Sequence, residues 1–176
     1  MTPGDPAQRI EQLSADLGRA LRLQHLTLAT AESCTAGGVS YAVTLSPGSS
    51  QWFDRGFVTY TNDAKLQVLG VTPAYLRDFG AVSEPVARAM ALGALSHSSA
   101  QVALAVTGVA GPSGGTEMKP VGTVCFAWAI RRDPAQSAWV RTETRRFEGD
   151  RSAVRTQSII NALDSLIGLL RQRQDV

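Results

Sequence analysis

Apolar positions along this chain recur with two alternating periods. Ile10, Leu13, Leu17 and Leu21 fall at helical spacing, with Asp5 placed to cap the helix they predict. Leu26–Ala31 is a strand-length apolar run, and a second helix is predicted over roughly Ala36–Leu45, ended by Ser46-Pro47-Gly48. Phe57–Tyr60 reads as a second strand, and Asn62 stands where it can cap the helix carrying Lys65. Pro73 opens a short helix in its tolerated first turn, and Ser83 caps a longer one over Glu84–Leu95. Val102–Thr107 is a continuous apolar strand followed by a glycine-rich loop. Val121–Ile130 and Ser137–Phe147 flank Arg132-Asp133-Pro134 as an antiparallel hairpin. The last helix runs from Asp150 to about Arg171, with Ile159, Leu163, Leu166 and Leu170 on one face. Strands alternating with helices, then a hairpin and a closing helix, predict an α/β fold with a mixed sheet and helices on both faces.

Composition narrows this picture without changing it. The chain has 176 residues, enough for one full hydrophobic core, so a single domain over residues 1–176 is expected. Its 44% hydrophobic and 18% charged content is that of an ordinary soluble domain. A net charge of +2 does not point to a nucleic-acid partner, and no stretch has the length and apolarity to span a membrane. Cys34 and Cys125 make no disulfide framework, and they lack metal-ligand spacing. The N-terminal stretch has no apolar leader core, so a cytoplasmic location and no metal or other cofactor are expected.

The densest chemistry lies in AESCTAGG, residues 31–38, where the first strand ends and a stretch of small residues begins. A strand-to-helix turn presents a hydroxyl and unpaired backbone N–H groups on one side, which suits attack on a carbonyl. Ser33 is the candidate nucleophile, and its competing role is that of an N-cap. Cys34 is the rival nucleophile, although a free cysteine more often serves as a small buried hydrophobe.

Histidine is the usual base for a serine, but His25 precedes the first strand and His97 ends a helix. That leaves lysine, present only as Lys65 and Lys119. Lys65 follows the second strand in VTYTNDAK, so adjacent strands would bring it and Tyr60 beside Ser33. A free lysine pays roughly 4.6 kcal/mol to be neutral at pH 7, a cost that burial or a nearby cation reduces. Alternatively, Tyr60 carries the proton while a charged Lys65 holds it in place. The loop TGVAGPSGG (107–115) offers Thr107 and a backbone that a ligand can approach closely. Arg151 sits in the first turn of the last helix, where a cation opposes the helix dipole unless an anion is bound there. Arg141, Arg145 and Arg146 compete for that anion-binding role.

Taken together, AESCTAG, PGSSQWFDRGFVTYTNDAK, LGV, GAVSEPVA, TGVAGPSGG, KPVGTV and FEGDR resemble the C-terminal domain family of the competence/damage-inducible protein CinA. That family also occurs as a free-standing nicotinamide-nucleotide amidase. The resemblance covers roughly Gln8 to Leu170 and implies a three-layer α/β/α sandwich. It also implies hydrolysis of the carboxamide of nicotinamide mononucleotide to nicotinate mononucleotide and ammonia. By position it assigns the nucleophile to Ser33, with Tyr60 and Lys65 moving the proton. Thr107, Gly108, Ala110 and Gly111 would line the substrate pocket, and Arg151 falls on the family's GDR arginine. Thr35, Ala36 and Gly37 are expected at the substrate through the oxyanion loop. Ala36 departs from a double glycine common in the family, and alanine is expected to fit there with a negative φ. The implied partner is the small-molecule substrate, with no nucleic acid or membrane; a homo-oligomer, with a dimer as the best reading, is expected. A catalytically silent nucleotide-binding domain, an amidase for another small amide and a pure interaction module are the competing readings.

Overall fold

The structure, a computed structural model, describes residues 4–172; residues 1–3 and 173–176 of the expected single domain lie outside that range. Five strands form one sheet: β1 (Leu28–Glu32), β2 (Phe53–Val58), β3 (Val102–Gly108), β4 (Thr123–Ile130) and β5 (Trp139–Arg146). Their order across the sheet is β2-β1-β3-β4-β5. β2, β1 and β3 are parallel, whereas β4 and β5 add antiparallel. Among the described residues there are also six α-helices, α1 (Pro6–Leu23), α2 (Gly38–Val43), α3 (Asn62–Leu69), α4 (Pro73–Phe79), α5 (Glu84–Ser96) and α6 (Arg151–Gln172), and a short 3-10 helix at Ser49–Gln51. No helix among the described residues is long and apolar enough to cross a membrane.

The alternation of side chains along the central strands decides how each layer packs. One face carries Leu28, Val102, Leu104, Val106, Val124, Phe126, Trp128 and Ile130, which pack with α1, α2 and α6. The opposite face carries Ala29, Ala31, Ala103, Ala105, Cys125, Ala127 and Ala129, against which α5 packs through Val86, Ala87, Met90, Ala91 and Ala94. Bulky side chains thus fill the space under three helices, while alanines let α5 approach the sheet closely. Trp128, in the bulky layer, donates its indole N–H to the Ala162 carbonyl at 3.0 Å, so its polar atom is buried at little cost. On the other side, Gly93 of α5 admits the end of α3; a Cβ there would lie 2.1 Å from the Leu69 carbonyl oxygen. That close fit fixes the short helix carrying Lys65.

Several predicted boundaries shift for identifiable reasons. β2 runs Phe53–Val58 rather than Phe57–Tyr60, because it is an edge strand whose Asp54 and Arg55 face solvent and hide the apolar pattern. α3 is capped by Thr61, whose hydroxyl accepts the Ala64 N–H at 3.1 Å, so Asn62 is its first residue and not its cap. α2 is shorter than predicted because Ala36 and Gly37 both take left-handed conformations, which a helix cannot include. Asp5 and Asp150 cap as expected: their carboxylates accept the Ala7 and Ala153 N–H groups.

The chain leaves β1 toward β2 on one side and returns with β3 on the other. The carboxyl ends of β1 and β3 therefore flank a topological switch point, where ligands of open α/β sheets bind. The turn after β1, the β2–α3 turn and the β3–β4 loop all converge there.

Candidate active site

Ser33 follows β1 directly, and its N–H donates to the Val106 carbonyl of β3 at 3.0 Å. Its hydroxyl does not cap α2. That task falls to the preceding residue: Glu32 is fully buried and accepts the N–H groups of Gly37 (3.0 Å), Val39 (2.9 Å) and Ser40 (2.8 Å). It also accepts the Ser40 hydroxyl at 2.7 Å. A carboxylate at a helix N-terminus is favoured by the unpaired N–H groups and by the helix dipole. With the cap supplied from one residue back, the Ser33 hydroxyl is left for other chemistry.

Lys65 meets it. The Lys65 Nζ lies 3.0 Å from Ser33 Oγ and bonds the carbonyls of Thr59 (2.9 Å) and Tyr60 (3.3 Å). These partners come from the β2–α3 turn, which the first turn of α3 carries Lys65 back over. Thr59 is itself tied to β1 through its N–H, which donates to the Glu32 carbonyl at 2.8 Å. Lys65 is 1% exposed, and among the described residues no acid pairs with it. Burial pushes its pKa below the usual 10.5, because the charged form loses its hydration. The Thr61 carbonyl is a third acceptor at 3.5 Å; the ammonium donates to Ser33 Oγ, and once it loses a proton its lone pair can accept the Ser33 hydroxyl instead. Cys34 is displaced in the opposite sense: burial pushes its thiol up to about 12, so it stays protonated and a poor nucleophile.

Beside this pair opens a cleft of about 290 Å³. Of the residues expected at the site, Ser33, Tyr60, Lys65, Thr107, Gly108, Ala110, Gly111 and Arg151 all line it. The Thr107 hydroxyl donates to the Ala81 carbonyl at 2.9 Å, fixing the loop before α5 to the end of β3. Arg151 spans the mouth, with one guanidinium N–H on the Gly111 carbonyl (2.9 Å) and another on the Tyr60 phenol oxygen (2.7 Å). The Tyr60 phenol therefore serves Arg151; it hydrogen-bonds neither Ser33 nor Lys65, and only its backbone carbonyl reaches the lysine.

Three expected contacts fall outside the cleft. Thr35 is fully buried, and Ala36 and Gly37 turn away from the cavity with their N–H groups already bonded to Ser33 O and Glu32. Ala36 has φ +49, not the negative φ expected, so it sits where glycine is at ease and alanine is strained. Of the turn's N–H groups, those of Ser33, Ala36, Gly37 and Gly38 are taken, and that of Cys34 faces its own thiol. Cys34 lines the cleft and Thr35 does not.

Among the competing arginines, Arg141 and Arg145 lie on edge strand β5 and pair with Glu143; neither they nor Arg146 line the cleft. His25 lies in the turn before β1, and His97 bonds the Gly93 carbonyl at the end of α5. Neither histidine reaches the cleft. Asn62, Val82 and Ser113 line it as well; each lies in a segment that carries the family resemblance, at the start of α3, before α5 and in the β3–β4 loop, but none has a chemistry that marks it singly. Arg155, one helical turn beyond Arg151, donates to the Thr35 carbonyl at 2.8 Å and braces the nucleophile turn from α6.

The chain is similar to known proteins over most of its length. The nicotinamide-nucleotide amidohydrolase PncC of Escherichia coli strain K12 is 50% identical over 155 residues, covering 88% of this chain and 91% of that protein. The competence/damage inducible protein CihA of Agrobacterium tumefaciens superposes with a TM-score of 0.84 at 43% identity, covering 96% of this chain and 98% of that one. The competence damage-inducible protein A of Klebsiella pneumoniae reaches 0.88 at 36% identity, over 94% and 99% of the two chains. The CinA C-terminal domain matches residues 10–170, which contain every side chain of the cleft and all five strands. By sequence and by fold, the chain belongs to the CinA C-terminal domain family.

Proposed function

We propose that this protein is a nicotinamide-nucleotide amidase in which Ser33 attacks the carboxamide of nicotinamide mononucleotide and Lys65 manages the proton. The observation that carries this reading is the 3.0 Å contact between Ser33 Oγ and a buried Lys65 Nζ with no acid partner. Ser33 Oγ bonds the carbonyl carbon while its proton passes to the Lys65 amine. The resulting oxyanion accepts the Cys34 N–H, a type of donor worth about 3 kcal/mol in the transition state. The carbon–nitrogen bond then breaks, and ammonia leaves with the proton returned from Lys65. Water attacks the acyl-enzyme, Lys65 again takes a proton, and nicotinate mononucleotide leaves as Ser33 regains its hydrogen.

The substrate's quaternary pyridinium draws electrons from the carboxamide and makes its carbonyl easier to attack. Its phosphate is assigned to Arg151, which faces the cleft from the N-terminus of α6 without an acidic partner. Tyr60 holds that arginine in place. The test is to incubate the purified protein with nicotinamide mononucleotide and, separately, with the riboside that lacks the phosphate, following ammonia. Turnover of the mononucleotide with weaker use of the riboside is expected. Equal use of both would remove the phosphate site, and turnover of neither would favour a silent nucleotide-binding domain.

A further inference from the structure

We propose that Glu32 is a positioning residue for the acylation step, and that it selects which backbone N–H can hold the oxyanion. The inference rests on Ser33 being the nucleophile. Glu32 is 0% exposed, and among the described residues no cation pairs with it. It is held entirely by neutral donors: three N–H groups and the Ser40 hydroxyl, at 2.7–3.0 Å. Because Ser40 gives its one hydroxyl proton to Glu32, it must accept from Thr30, whose hydroxyl lies 2.7 Å away. The chain Thr30–Ser40–Glu32 therefore has a single direction.

Two consequences meet at Ser33. All four side-chain partners of Glu32 lie on Gly37, Val39 and Ser40, and the Ser33 hydroxyl is not among them. By engaging Gly37, Val39 and Ser40, Glu32 also fixes the left-handed turn at Ala36 and Gly37 and removes those N–H groups as oxyanion donors, so that Cys34, which lines the cleft, is the residue of the turn whose N–H would have to leave its own thiol for the oxyanion. The Glu32 backbone carbonyl meanwhile accepts from Thr59, whose own carbonyl holds Lys65. Glu32 thus ties the nucleophile turn to the base turn without touching substrate.

The test uses Glu32→Gln, which keeps the shape but turns an amide NH2 toward at least one backbone N–H that can only donate. Expected is a fall in kcat of up to about 10²- to 10³-fold, the cost of a lost oxyanion donor. KM for nicotinamide mononucleotide should stay within about twofold, because the substrate-binding side chains are untouched. The acidic limb of the pH–rate profile should keep its position, because Lys65 is unchanged. A fluorophosphonate read in parallel bonds its phosphorus to Ser33 Oγ and expels fluoride as the hydroxyl proton passes to Lys65. Its labelling rate should fall in the same proportion as kcat.

An unchanged kcat, a loss carried wholly by KM, or a displaced acidic limb would each overturn the proposal. Should Glu32→Gln not fold, Ser40→Ala decides: it removes one of the four bonds, and a kcat equal to that of the unsubstituted chain would overturn it. Should the unsubstituted protein label with the fluorophosphonate but release no ammonia, the amidase reading fails, and the ratio of labelling rates still decides the role of Glu32.

Discussion

Two ionisable side chains, Glu32 and Lys65, lie buried on either side of Ser33, and their surroundings send them in opposite directions. Glu32 receives four donors and has no acceptor facing it, so the environment completes the solvation of a carboxylate. Lys65 faces three backbone carbonyls and the Ser33 hydroxyl with no acid, and it is burial, which strips the ammonium of its hydration, that lowers its pKa. Glu32 is anchored by four donors, whereas Lys65 keeps a contact with the one hydroxyl that reacts in the proposed mechanism. The turn at Glu32 is scaffold, and the turn at Lys65 is machinery.

Breaking the machinery should cost most. Ser33→Ala should lower kcat by about 10⁴-fold or more with the thermal unfolding curve intact, as expected when a nucleophile is removed. Cys34→Ala should retain turnover, since its thiol stays protonated. Appreciable ammonia release by Ser33→Ala, lost on adding Cys34→Ala, would exchange the roles of the two residues.

Lys65→Met should reduce kcat by about 10²- to 10⁴-fold, the range of general-base catalysis. It also makes a prediction about stability. A lysine whose folded pKa is lowered binds fewer protons folded than unfolded, so the unfolded state gains from protonation. The penalty on folding is full below the folded pKa and fades as pH rises to the unfolded value near 10.5. Denaturant unfolding of both proteins should therefore show their difference moving in favour of the lysine form as pH rises toward 10.5. A pH-independent difference would mean that Lys65 stays charged.

At the mouth of the cleft, Arg151→Ala should raise KM for the mononucleotide by about tenfold or more, the loss of a charge-assisted bond. The riboside's KM should hardly change, and steady-state kinetics on both substrates separates the two. An equal loss on both would assign Arg151 to holding the Tyr60 and Gly111 loops instead of phosphate.

The smallest effect lies in the scaffold turn. Ala36→Gly should stabilise the fold by roughly 1 kcal/mol, because it relieves a left-handed alanine, an effect reduced by glycine's greater freedom in the unfolded chain. Denaturant unfolding would read it, and destabilisation would contradict the left-handed turn.

How much of this was legible in the sequence follows from the same contrast. The machinery could be read because its parts stand at strand ends: Ser33 after β1, Lys65 after β2 and Thr107 at the end of β3. The scaffold could not. Glu32 caps a helix from a strand, reaching five to eight residues ahead, whereas cap signals are read from the residue next to the helix. Ala36 hides its positive φ because alanine is not a residue that marks a left-handed turn. Adjacent strands and the family resemblance bring Tyr60 to the site beside Ser33 and Lys65, and it does line the cleft. Its phenol faces Arg151, a residue 91 positions away. The edge strand β2 was misplaced because a strand with one open side does not need an apolar face to form.

The most direct test of the central claim, that Lys65 with its lowered pKa takes the Ser33 proton, is the pH dependence of kcat/KM for ammonia release from nicotinamide mononucleotide. The substrate phosphate's own ionisation can be separated by repeating the titration with the riboside. The account predicts activity that rises with pH through a single limb with its midpoint clearly below 10.5 and that levels off above it. A limb at 10.5 or higher, or activity that falls as Lys65 loses its proton, would contradict it.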